Sequence, residues 1–266
     1  MKKQESNRWF RIVIGLLIIV SCGWLIHSQL NHNPHIQKIR TAMTNKQKSS
    51  SSTNEDQLAS LNYQSGSNPI VFVNNNRSTL NPQSWNYCHV AFSNLDNLNR
   101  TSGVTTAYLN RNNATNDELR TRQFVSPTGW HSNHFGKQIY NRGHLIAYSV
   151  SKGINNSGQY QPGKDTGNQN NMKNLFTQTA FSNQKLQTIY EKQVRDALYQ
   201  NKQVIYQVQP IFRGSELMAH GVHLQAISTD GSLNFNVFIY NVQPNYQFNY
   251  ANGTAKKDKT MNVPQH

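Results

Sequence analysis

An α+β fold, an antiparallel β-sheet core with flanking helices, is what the sequence predicts, on three observations. Six short segments enriched in β-branched and aromatic residues are separated by clusters of Asn, Asp, Gly and Ser. The dipeptide Asp230-Gly231 sits between two of them, a strong short-range hairpin signal. Around Leu186 to Leu198 the apolar residues instead recur at helical spacing.

In chain order, residues 1–30 read as a membrane anchor or signal peptide. Lys2, Lys3, Arg8 and Arg11 precede a largely apolar run from Ile12 to Ile26, with Trp9, Phe10 and Trp24 at its ends. Positive charge before the run keeps the N-terminus in the cytoplasm and the rest of the chain outside. The expected location is therefore the cell membrane, single-pass, with secretion after cleavage as the alternative. Residues 31–62 are polar, with a serine run at 49–52, and read as a flexible linker. A folded domain is expected over 63–250 and a polar C-terminal tail over 251–266.

Within that domain, Pro69 to Val73 is a short apolar run halted by Asn74-Asn75-Asn76, as for a strand entering a turn. Tyr87 to Phe92 and Val104 to Leu109 are the next candidate strands. Gln203 to Phe212, Val222 to Ser228 and Leu233 to Asn241 follow, the last two joined by the Asp230-Gly231 turn. Between these groups, Leu186, Ile189, Tyr190, Val194, Ala197 and Leu198 form one apolar helical stripe. Asn183, Gln187, Glu191 and Arg195 form an i, i+4 row on another side of the same helix. That row reads either as a solvated face with a Glu191–Arg195 ion pair or as one wall of a site.

Charge narrows the chemistry. Lys and Arg number 26 against 12 acidic residues, a formal charge of +14, which favours a polyanionic partner. The shortage of carboxylates disfavours two-metal nucleases and paired-carboxylate glycosidases, both of which converge acidic side chains on one site. Only Cys22 and Cys88 are present, and Cys22 lies in the apolar run, so no disulfide partner or cysteine zinc cluster is expected. His131/His134 and His220/His223 have zinc-compatible spacing, but without cysteine or acidic company they read as surface or loop histidines.

One constellation fits a polyanion. Asn141-Arg142-Gly143-His144 is followed by Asn174, Asn183 and Glu191. Phosphodiester hydrolysis needs an activated water, charge neutralisation and help for the departing oxygen. His144 is suited to act as base near neutral pH. The amide oxygen of Asn183 can ligate Mg²⁺, with waters completing the shell. Glu191 can orient those waters, Arg195 can grip a phosphate oxygen, and Asn174 can hold the His144 ring.

The block from Asn141 to Tyr148 (Asn-Arg-Gly-His-Leu-Ile-Ala-Tyr) and that from Asn171 to Gln184 (Asn-Met-Lys-Asn-Leu-Phe-Thr-Gln-Thr-Ala-Phe-Ser-Asn-Gln) resemble the DNA/RNA non-specific endonuclease family. These are ββα-metal, or His-Me finger, nucleases, and the layout is nearest to bacterial membrane-attached surface nucleases. The similarity extends over roughly Tyr63 to Tyr250, upstream through Phe92 to Asp96 and Pro127 to Trp130. It implies His144 as general base, Asn183 as Mg²⁺ ligand, Glu191 as partner of the metal's waters, and Asn174 and Arg195 as further catalytic residues. Arg122, with Arg120 as its rival, Arg142 and Gln178 are the substrate-binding candidates. Mn²⁺ is the alternative ion. DNA is the expected partner, with RNA beside it, the membrane through the N-terminal segment, and DNA-uptake machinery. One position departs from the signature: Asn141 stands where the family has Asp. The alternative reading is a catalytically weak nucleic-acid-binding surface receptor.

Overall fold

The computed structural model describes residues 54–115, 122–134, 136–164 and 168–265. The chain divides into two compact units, and the second, Leu58–His266, holds the fold. Among the described residues no helix is long and apolar enough to cross a membrane. The expected anchor at 1–30 and the linker up to 53 lie outside the described residues.

Among the described residues ten strands are formed: β1 Ile70–Phe72, β2 His89–Ala91, β3 Thr105–Leu109, β4 Tyr140–His144, β5 Leu175–Thr179, β6 Val204–Ile211, β7 Gly221–Ser228, β8 Asn234–Tyr240, β9 Tyr246–Asn249 and β10 Thr254–Lys257. Six of them make one sheet in the order β1-β8-β7-β6-β3-β2, antiparallel throughout. All six sequence-predicted runs lie in this sheet. Its central strands are buried on both faces, which is why β6 and β8 read as nearly continuous apolar runs. β7 is wholly buried although it carries His223 and Gln225. They are tolerated because each has a partner: His223 Nε2 lies 2.6 Å from Asn236 Oδ1, and Gln225 donates to Gln207 Oε1 at 2.8 Å.

The expectation of surface or loop histidines at 220 and 223 is thereby corrected. His220 faces the Leu58 carbonyl at 3.2 Å, and burial, helped by Arg213, pushes its pKa down to about 4. Burial lowers His223 in the same way. Neutral buried imidazoles of this kind are structural.

The helical segment begins as a π-helical turn, Ser182–Gln187, and continues as α1, Thr188–Tyr199. Tyr190, Val194, Ala197 and Leu198 are buried. Tyr190 meets Phe235 of β8 at a centroid distance of 4.9 Å, seating the helix on the large sheet. Asn201, at φ +62°, ends the run in the left-handed conformation usual just past a helix.

Two small ribbons complete the unit. β4 pairs with β5, and β9 with β10. The expected polar tail is therefore structured. β10 lies in it, Val263 is buried in the main core, and Gly66 donates to the Asn262 carbonyl at 2.8 Å. The folded region also starts before Tyr63, since Leu58 is a core residue.

Candidate active site

β4, β5, the π-helical turn and α1 form a ββα unit, and β4, the π-helical turn and α1 line one cleft of about 430 Å³. The pairing is close. A Cβ on Gly143 would lie 2.2 Å from Gln178 Oε1 and 2.8 Å from Gln178 Cβ, so only glycine lets β4 approach β5 at this point. His144 ends β4 and reaches the cleft, half-buried, while Asn183, Glu191 and Arg195 reach it from the helical side. Three residues of the i, i+4 row thus wall the cleft, with Gln187 buried behind them, and the row is not a solvated face.

The ring of His144 has a defined orientation. Its Nε2 lies 3.0 Å from the Gln169 backbone carbonyl, which can only accept. A ring with its proton on Nε2 satisfies that carbonyl and leaves the lone pair on Nδ1. The Gln123 side-chain nitrogen stands 3.5 Å from Nδ1 and 3.1 Å from Nε2, at the mouth of the site.

Behind the cleft runs a chain of carboxamides. Gln138 donates to Asn141 Oδ1 (2.6 Å), Asn141 to Asn183 Oδ1 (2.8 Å), and Asn183 to Gln178 Oε1 (2.9 Å). Gln178 donates to Gln187 Oε1 (3.0 Å), and Gln187 to Glu191 Oε1 (2.8 Å). Gln187 also donates to the His144 backbone carbonyl at 2.8 Å. One fully buried amide therefore ties the base-bearing strand to the acid-bearing helix. The π-helical turn places Asn183 and Gln187 on this line, a use of irregular helix geometry common at functional sites.

Glu191 is 9% exposed. Burial pushes its pKa up to about 7, against smaller opposing effects from Gln187 and the Arg195 charge. Arg195 directs its guanidinium at Ser149 Oγ (3.1 Å) and forms no ion pair with Glu191 among those of the described residues. Arg142 stacks on Trp130 with 4.1 Å between guanidinium carbon and ring centroid. Burial, then the nearby Arg122, lowers its pKa from the ordinary value.

Three sequence assignments change. Asn174 is fully buried and bonds to both backbone atoms of Ile146 (2.8 and 3.0 Å) and to the Asn168 carbonyl (3.4 Å). It braces the chain just beyond His144 and does not touch the ring. Gln178 is also fully buried, its amide committed to Ser182, Gln187 and Asn183, so it positions its neighbours and cannot meet substrate. Arg122 is exposed and does not line the cleft, whereas Arg142 does. Arg120 lies outside the described residues. Gln123 and Gln169 were missed, since neither carries a local sequence signal. Gln187 was visible in the helix row, but its role depends on the π-helical turn.

The donor set suits a hard divalent ion. Asn183 Oδ1 borders the cleft, and Glu191 spends only Oε1 on Gln187, which leaves a second carboxylate oxygen for coordinated water. Among the described residues there is no group of three or more His, Cys, Asp or Glu that could hold a metal, so any ion bound here keeps much of its water.

Residues 77–230 match the family model for DNA/RNA non-specific endonucleases. The crystal structure of NucA from Streptococcus agalactiae with magnesium ion bound is similar at 32% identity and TM-score 0.62, over 77% of this chain and 96% of that one. The same protein with no metal bound aligns at 32% identity and TM-score 0.61, over 77% and 95% of the respective chains. Sda1 nuclease with bound zinc ion, at 19% identity and TM-score 0.52 over 72% and 97%, shares the fold.

Proposed function

The chain belongs to the DNA/RNA non-specific endonuclease family, and from that premise we propose a Mg²⁺-dependent endonuclease that cuts DNA and RNA with His144 as general base. The observation that carries the reading is the convergence of His144, Asn183, Glu191 and Arg195 on one cleft from β4, the π-helical turn and α1. Nuclease activity follows from the family. The ion, the use of RNA and the individual roles are the finer parts of the proposal.

In this reading His144 Nδ1 takes the proton of the attacking water while Nε2–H stays on the Gln169 carbonyl. Asn183, with Glu191 ordering water beside it, would hold the ion, which when bound supplies Lewis-acid stabilisation of the developing charge. Arg195 and Arg142 bind the non-bridging oxygens of the phosphate. The magnesium seen in the Streptococcus agalactiae protein supports Mg²⁺, with Mn²⁺ as a substitute. Location outside the cell, held by residues 1–30, remains part of the proposal, as does hand-over of product to an uptake apparatus.

The test is plasmid and total-RNA digestion with Mg²⁺, with Mn²⁺ and with chelator. Cleavage of both substrates is expected to stop in chelator. Asn183→Ala is expected to need about 10–100-fold more metal for half-maximal rate. Cleavage that persists in chelator, or an unchanged metal requirement in Asn183→Ala, overturns the metal assignment.

Asn141 offers a separate prediction. Its amide donates to Asn183 Oδ1, occupying a lone pair of the candidate ligand atom. Asp in its place cannot donate and adds a negative charge, so Asn141→Asp should tighten metal binding by about 3–10-fold, a gain on the order of 1 kcal/mol. Calorimetric titration with Mn²⁺ reads this directly, and weaker binding in the variant would refute it.

A further inference from the structure

The β9–β10 ribbon lies after residues 77–230, the span of the family model, and none of the site roles above falls on it. It is nevertheless docked to the site. The Tyr140 hydroxyl donates to the Gly253 carbonyl at 2.7 Å, and His131 Nε2 meets the Asn252 carbonyl at 2.9 Å. Gly253, at φ +80°, allows this contact: a Cβ there would lie 1.9 Å from the Gly129 carbonyl oxygen. Tyr140 is both a wall of the cleft and the first residue of β4.

The two faces of the ribbon differ. Tyr246 and Phe248 pack inward, while Gln247, Asn249, Thr254 and Lys256 are exposed. Lys257 is exposed opposite Tyr246, and Lys137 Nζ lies 5.1 Å from the centroid of the same ring. Lys137 is adjacent to Gln138, which lines the cleft and meets Gln184 across its lip at 3.5 Å. Lysine charge therefore continues from the lip of the cleft, over Tyr246, onto the ribbon. None of Lys137, Lys256 and Lys257 is in an ion pair among those of the described residues. The nearby carboxylate, Asp258, spends its side chain on Thr260 (3.0 and 2.6 Å), with Lys256 close enough to lower its pKa further.

We propose that Lys137 and Lys257 form an auxiliary phosphate-binding strip that holds duplex flanking the bond in the cleft. The assignment rests on the endonuclease reading and extends it. Four residues of β-ribbon span about 10 Å. Duplex DNA carries one charge per ~1.7 Å of axis, so several phosphates fall within that length. Lysines on the docked ribbon and beside it, outside the ion pairs of the described residues, suit this use. They bind phosphate as point charges without reading bases, which agrees with cleavage indifferent to sequence.

The test separates the strip from the catalytic reading by measuring binding in chelator, where no cleavage is needed. Fluorescence anisotropy with the full-length protein and a duplex of about 30 base pairs follows affinity from about 50 to 200 mM salt. Lys137→Ala/Lys257→Ala should flatten the slope of log affinity against log salt by about 1.8, near 0.9 per lost contact. Lys202→Ala removes a lysine already engaged with Asp230 and Ser232, and should leave the slope unchanged. In Mg²⁺, the double variant should raise KM for the duplex about 3–10-fold with kcat within about two-fold, and should hydrolyse a thymidine nitrophenyl phosphodiester as wild type does. A slope equal to that of wild type, or a fall equal to that in Lys202→Ala, overturns the strip. A slope change with no cleavage of any substrate by wild type would uphold the strip and sink the endonuclease reading instead.

Discussion

His144→Ala is expected to lower kcat about 10²–10⁴-fold, the usual worth of a positioned general base. The fold should survive, because the ring is half-buried at the end of β4 and the backbone bonds of that strand to β5 do not depend on it. The bond from Gln187 to the carbonyl of residue 144 is likewise independent of the side chain. A ring bonded to the Gln169 carbonyl and met by the Gln123 amide leaves a hole of imidazole shape when truncated. Added imidazole should therefore restore part of the rate to His144→Ala and none to wild type. Supercoiled plasmid nicking measures both effects. A loss below ten-fold, or a loss that imidazole cannot relieve in a variant with a normal melting profile, would move the base to another group.

The second large effect falls on a residue that touches no substrate. Gln187→Leu keeps the side-chain volume but strips three partners at once: the His144 carbonyl, Glu191 Oε1 and Gln178 Nε2. Each buried polar group left without its bond costs roughly 1–3 kcal/mol, so the variant should lose on the order of 4 kcal/mol of stability. That is a large share of what a domain of this size possesses. Turnover should fall about 10–100-fold as well, since the strand bearing the base and the helix bearing the acid lose their common tie. Gln187→Glu should be no better. It keeps an acceptor for Gln178 but loses both donations and sets a second carboxylate against Glu191. Urea denaturation followed by tryptophan fluorescence gives the stability, and an unfolding midpoint within error of wild type would show that the amide chain is not what holds the site.

Much of the fold was legible because the large sheet obeys simple rules. β1, β6 and β8 are apolar runs bounded by turn residues, and Asp230-Gly231 marked the β7–β8 turn, where Gly231 has φ +73°. The ribbons were not legible. β4 reads Tyr-Asn-Arg-Gly-His and β10 reads Thr-Ala-Lys-Lys, and neither has the apolar alternation that marks a strand. They are strands because of what they rest on: β4 on β5, and β9 with β10 on Ile139, Tyr140 and Met218. The site divides in a similar way. His144, Asn183, Glu191 and Arg195 could be read from residue type and spacing, since chemistry demands those groups. Asn174 and Gln178 belong to the same sequence blocks but face inward, and sequence spacing does not reveal whether an amide points to solvent or to other amides. Gln123 and Gln169 reach His144 through tertiary folding, one through its side chain and one through its backbone carbonyl.

The carboxamide chain from Gln138 to Glu191 has a consequence for the conditions under which the protein can work. Amides have no proton to gain or lose across the physiological range, and their dipoles are not neutralised by dissolved ions as paired charges are. The frame that sets the catalytic geometry is therefore indifferent to brine and, up to its terminal carboxyl, to acidity. The lysines and arginines that gather nucleic acid are sensitive to both ionic strength and competing polyanions. Rising salinity should thus loosen the grip on substrate long before it disturbs the machinery that cuts it.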